Sequence, residues 1–166
     1  QASTAVIGQA LRWMNLTLAA GHRVLVVGAG TGAEMVALAQ LGCQVYGLEP
    51  GPEAVRIAGL KAQLARLPAG RCLGARAETI PFATSTFDMV WCWTVVEHVQ
   101  DVAASLAEMV RVLKPWGHLF IQTPDYRHFY EPHYKLALPM WAPRWFIRLL
   151  LRLYGRPAAF LDTLQL

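Results

Sequence analysis

Three groups of residues in this chain have the types and spacing for chemistry. The first is Val24-Leu25-Val26-Val27-Gly28-Ala29-Gly30-Thr31-Gly32, with Glu49 following 21 residues after Gly28. Glycines let a backbone turn sharply and let a ligand approach the main chain closely, and a helix starting there presents free N–H groups. A carboxylate at the end of the next strand can accept hydrogen bonds from both hydroxyls of a ribose. Gly28-x-Gly30-x-x-Ala33 also fits the dinucleotide fingerprint, so NAD is one reading of this motif, and a tight turn with no ligand is the plainer one. The second group is Glu97-His98. The third is Asp125, Tyr126, His128, Tyr130, Glu131, His133 and Tyr134. A hydroxyl nucleophile benefits from a general base, which makes His98, His128 and His133 the candidate catalytic residues. Against that, Glu97 reads equally as an acid at a helix start, and the third group as a solvated loop with aromatic anchors.

The elements that must position these groups alternate between two periods. Arg23–Val27, Gln44–Leu48, Cys72–Ala75, Phe87–Cys92 and His118–Gln122 read as strands. Val6–Leu18, Ala33–Leu41, Pro52–Leu67 and Asp101–Leu113 read as helices, with Gly42 in the place of a helix stop, Pro52 in a first turn and Asp101 as a cap. Lys114-Pro115-Trp116-Gly117 reads as a turn. Strands separated by helices of this length predict βαβ units and a parallel sheet with right-handed crossovers. The fold class expected is α/β, a Rossmann-like three-layer αβα sandwich with a mostly parallel sheet. In such a fold ligands collect at the carboxyl ends of the strands where strand order reverses.

Composition sets the outer limits. With 166 residues, 55% hydrophobic and 16% charged, the chain is globular and sized for one core. No apolar run reaches the roughly 18–20 residues of a spanning helix, and no signal peptide pattern opens the chain. The start at Gln1 reads as a trimmed one. Cys43, Cys72 and Cys92 have no metal-ligand spacing and read as small core residues in a reducing, cytoplasmic setting. Residues 1–125 balance nine Lys/Arg against nine Asp/Glu, whereas residues 126–166 hold six against two. A general nucleic-acid binder is not built that way. The excess gathers in a helical stretch, 143–154, where Arg144, Arg148 and Arg152 share a face. A lid over a substrate, with its arginines in water, and a peripheral contact with an anionic membrane both fit it.

Ala77-Glu78-Thr79-Ile80-Pro81-Phe82, Phe87-Asp88-Met89-Val90, Val95-Val96-Glu97-His98-Val99 and Leu113-Lys114-Pro115-Trp116-Gly117 follow the glycine turn in order. From about Arg23 to Pro124 the chain resembles the type 11/type 12 group of class I S-adenosylmethionine (SAM)-dependent methyltransferases. The resemblance implies SAM as cofactor, S-adenosylhomocysteine as product, and a small-molecule methyl acceptor, lipid-linked or sugar-like among the options. It implies that Gly28, Ala29, Gly30 and Gly32 lie beneath the amino-acid part of SAM, that Glu49 holds the ribose with Pro50 by the adenine, that Ala77 and Glu78 flank the adenine edge, and that Cys92 and Trp93 face the methionine part. Trp91 or Trp93 could also favour a sulfonium through its ring face. Where the family often has Asp before the Ala-Glu pair, this chain has Arg76, which cannot accept a hydrogen bond from the adenine amino group. Where some relatives place a second Glu for magnesium, this chain has Thr94, so no metal is expected. The resemblance divides the chain into a SAM-binding core, 1–125, and an aromatic and basic cap or lid segment, 126–166, ending before the β-hairpin that closes the family's sheet. An NAD-dependent oxidoreductase and a non-catalytic SAM-binding scaffold are the alternative functions.

Overall fold

The computed structural model describes residues 2–68, 71–125, 130–131, 134–158 and 161. In chain order the elements are α1 (Ala2–Trp13), β1 (Arg23–Val27), α2 (Ala33–Gln40), β2 (Gln44–Leu48), α3 (Pro52–Leu64), β3 (Cys72–Leu73), β4 (Phe87–Trp93), α4 (Val102–Val112), β5 (Leu113–Gln122), β6 (Tyr130–Glu131), β7 (Leu136–Ala137) and α5 (Arg144–Leu153). The main sheet runs β3-β2-β1-β4-β5, with every pairing parallel. Strand order therefore reverses between β1 and β4. The α/β sandwich expected from the sequence is the fold observed.

β1 shows why the sheet is central. Val24 and Val26 pack into one core with Ile7 and Ala10 of α1 and Met35 and Leu38 of α2. Leu25 and Val27 pack into a second core with Met109 and Val112 of α4. A strand covered on both faces reads as an unbroken apolar run, as β1 does.

Four helices end the same way. Asn15, Gly42, Arg66 and Gly155 all have positive φ. The amide after each bonds back to a carbonyl five residues earlier: Leu16 to Leu11, Cys43 to Leu38, Leu67 to Ala62, and Arg156 to Leu151. This is the Schellman closure. It ends α1 and α3 earlier than the apolar periodicity suggests, because Asn15 and Arg66 take a backbone role usually given to glycine.

Two further differences appear. Lys114–Gly117 is not a free turn, since β5 begins at Leu113 and runs through it with a jump in register: Phe87 pairs with Leu113, and Met89 with His118. Trp116 takes up the excess at φ 66°, and a Cβ on Gly117 would lie 2.9 Å from the Lys114 carbonyl oxygen. Also, β6 and β7 pair antiparallel as a ribbon apart from the main sheet, in a segment whose sequence shows no strand pattern. Two residues per strand are too few for alternation to register. No helix of the described residues is long and apolar enough to cross a membrane.

Candidate cofactor site

β1 delivers Val27 to the carboxyl edge of the sheet, and the chain then turns through Gly28, Gly30 and Gly32 at φ 66°, 50° and 81°. Two of these positions need glycine for space as well as conformation. A Cβ on Gly28 would collide with Cγ2 of Val95, in the loop after β4, and one on Gly32 would lie 3.1 Å from Ala58 of α3. Gly30 differs, with nothing within 4 Å of its Cβ position. The turn is thus pinned below and open above.

Glu49 closes the turn from the β2 side. Its Oε2 accepts the Gly30 N–H at 3.0 Å and its Oε1 accepts the Gly51 N–H at 2.9 Å. The carboxylate is fixed between the glycine turn and the start of α3. Each oxygen keeps acceptor capacity for a ligand hydroxyl.

Two hollows flank the turn and share Val27 and Gly28. The first, about 200 Å³, has apolar walls from Val27, Leu48, Pro50, Ala77, Val95 and Val99, with Arg76, Glu78, His98 and Gln100 as polar members. The second, about 130 Å³, is lined by Ala29, Gly30, Thr31, Glu34, Trp91, Trp93 and Thr94 among others. Trp91 and Trp93 stack there with ring planes 6° apart, and Phe120 of β5 stacks on Trp91 at 4.2 Å.

The structure sorts the sequence-derived residues. Gly28, Pro50, Ala77 and Glu78 line the first hollow, Gly28, Ala29, Gly30 and Trp93 the second, and Gly32 starts α2. Glu78 also ties the lining of the first hollow to the start of α4. Its Oε1 accepts the Gln100 N–H at 2.7 Å and the Asp101 N–H at 3.4 Å. Burial pushes its carboxyl up, but these N–H donations and the Arg76 charge outweigh that and leave it below the usual carboxylate range. Arg76 is exposed, and its charge serves Glu78.

Cys92 does not lie with Trp93. Alternate residues of a strand point to opposite faces, so Cys92 is fully buried in the α4-side core while its neighbours face the second hollow. Burial, and then the charge of Glu97, push its thiol up to about 12. His98 borders the first hollow, apart from the tryptophans. His128 and His133 lie outside the described residues. Sequence reasoning missed Val95 as the floor under Gly28. Its only signal was its place in the loop after β4, at the point of strand reversal.

Glu97 is not a surface acid at a helix start. It is 4% exposed, and its Oε2 accepts the Thr123 hydroxyl at 3.1 Å. Among the described residues, the buried side-chain nitrogens and oxygens without a partner are Trp91 Nε1, Glu97 Oε1 and Gln122 Oε1. All three belong to the carboxyl-terminal parts of β4 and β5 or the loop directly after β4. Buried polar atoms are nearly always paired, so these orphans call for a partner, and one of them belongs to Trp91 on the wall of the second hollow. Together with the open glycine turn and the oriented Glu49, they make a site that suits a nucleoside carrying a polar, charged side arm.

Known proteins resemble this chain in sequence and fold. The family model described as Methyltransferase domain matches residues 25–121. A ubiquinone biosynthesis O-methyltransferase of Xanthomonas oryzae pv. oryzae is 36% identical over 104 residues, covering 63% of this chain and 44% of that protein. A demethylmenaquinone methyltransferase of Tropheryma whipplei is 32% identical over 130 residues, covering 78% of this chain and 53% of that one. The chain thus spans about half the length of these curated relatives. The crystal structure of a SAM-dependent methyltransferase from Aquifex aeolicus shares the fold, with a TM-score of 0.66 and 23% identity over 92% of this chain and 78% of that one. The motifs after the glycine turn, which an NAD-binding reading leaves unexplained, fall inside the matched span. The chain belongs to the methyltransferase domain family, in its class I SAM-dependent group, and SAM is the cofactor its cradle implies.

Proposed function

We propose that the chain binds SAM across the glycine turn and transfers its methyl group to a small, planar, hydroxyl-bearing acceptor of the quinone type. The observation carrying this reading is the set of unpartnered buried atoms at the ends of β4 and β5, beside the Trp91–Trp93 stack. The names of the two curated relatives support the acceptor class. Bound SAM would supply a methyl group on a sulfonium, an electrophile that leaves behind a neutral thioether. The protein's part is then positioning and proton handling, and bringing the nucleophile into line near the methyl carbon supplies much of the rate. Glu49 would hold the ribose, and the first hollow the base. Glu97, buried with one unpartnered oxygen, would take the acceptor's hydroxyl proton, and Trp93 would offer a ring face to the acceptor. Residues 126–166, following β5 at the cleft, would form the acceptor-side cap.

Calorimetric titration with SAM, S-adenosylhomocysteine and NAD, on the chain and on Glu49→Ala, tests the cofactor. The expected result is micromolar binding of the first two, about tenfold or more weaker in the variant, from loss of charge-assisted hydrogen bonds. Binding of NAD alone overturns the reading. Turnover with a catechol and radiolabelled SAM, lost in Glu97→Gln while SAM affinity stays, tests the transfer. Binding without turnover of any hydroxylated aromatic acceptor would assign a binding role instead.

A further inference from the structure

The helix α5 carries a surface that the cofactor site does not use. Ile147 and Leu151 are fully buried, packed with Tyr134, Leu138, Met140 and Leu161 in a small core of their own. The other side of α5 faces outward. There Arg144, Arg148 and Arg152 are exposed, and an exposed apolar residue follows each at once: Trp145 at 68%, Leu149 at 47% and Leu153 at 75%. Trp141, in the turn that precedes α5, is 71% exposed. Residues four apart share a helix face. An apolar row through Trp145, Leu149 and Leu153 therefore runs beside a basic row through Arg144, Arg148 and Arg152, and Arg156 follows in the sequence. Between Glu131 and Asp162 the sequence has no acidic residue.

We propose that this face docks α5 in the headgroup layer of an anionic lipid bilayer, with the helix axis along the surface. Charge complementarity selects this occupant. Guanidinium groups pair with headgroup phosphates, while tryptophan and leucine side chains enter the apolar boundary just beneath, the division of labour found in interfacial amphipathic helices. A second copy of the chain is a poor occupant, because a two-fold contact would set one basic row against another of the same charge. The inference depends on neither the cofactor nor the acceptor, so it stands or falls apart from them.

Flotation with phosphatidylcholine vesicles, with and without phosphatidylserine, decides it. The chain is expected to float with the mixed vesicles and much less with neutral ones, and to be released by added salt. Arg152→Glu with Arg156→Glu should weaken binding about tenfold or more. Trp145→Ser with Leu153→Ser should also weaken it, and both variants should keep the circular dichroism spectrum and SAM affinity of the parent. No flotation, equal flotation with neutral vesicles, or binding indifferent to both variants overturns the proposal. So does a dimer seen by sedimentation that Trp145→Ser dissolves, which would place a second copy on this face. So does capture by an acidic peptide in preference to vesicles.

Discussion

At the scale of single residues the site depends on one close approach. Gly28 sits where any side chain would strike Val95 and where φ is positive. A non-glycine residue there costs about 1–3 kcal/mol from backbone conformation alone. Gly28→Ala should therefore lower unfolding stability by at least that much in urea titrations and weaken SAM binding with it. Adding Val95→Ala removes the collision and leaves the conformational cost, so the double variant should recover only part of the loss. Stability unchanged in the single variant would mean that the turn is not pinned as described. The glycine turn and the carboxylate of Glu49 beside it were legible in the sequence because such a turn needs fixed residue types at fixed spacing. Val95 was not, because any apolar side chain of its size would serve as a floor. Cys92 was misplaced for another reason: reading it with Trp93 as a pair ignores that neighbours on a strand face opposite ways.

Among the elements, one carboxylate ties three strands together at the end of the sheet far from the cofactor site. Asp88 of β4 accepts the Arg23 N–H of β1 at 2.9 Å and the Lys114 ammonium of β5 at 2.8 Å. Partial burial pushes its carboxyl up, but Lys114 and the Arg23 N–H outweigh this, and it titrates below the usual carboxylate range. A carboxyl lowered by folding stabilises the protein fully above its unfolded pKa of about 3.9, and that contribution fades as pH falls through the lower folded value. Asp88→Asn should cost about 1.5–3 kcal/mol at pH 7. The gap between variant and parent should close as pH drops below about 4, and a gap independent of pH in urea midpoints would refute the linkage. Strands β1, β2 and β4 were legible because they are long enough for their apolar runs to register. β3 covers only Cys72–Leu73, and the ends of α1 and α3 are set by Asn15 and Arg66 in conformations their residue types do not announce.

For the molecule as a whole, the described residues form three apolar clusters. Two of them share the sheet, and the third, around Ile147 and Leu151, has no member in common with them. Regions with separate cores open separately. Ile147→Ala removes a fully buried side chain and should destabilise its own cluster by about 2–5 kcal/mol. Hydrogen exchange should then quicken across α5 while β1 and β4 keep their protection. Uniform quickening would show that the clusters unfold as one. The stacked rings of Trp91, Trp93 and Phe120 carry a different consequence. Two indoles with centroids 6.0 Å apart and planes 6° from parallel have closely coupled electronic transitions. They sit on the wall of the second hollow, so the near-ultraviolet dichroism of this pair is an optical gauge of the pocket itself, sensitive to its occupancy.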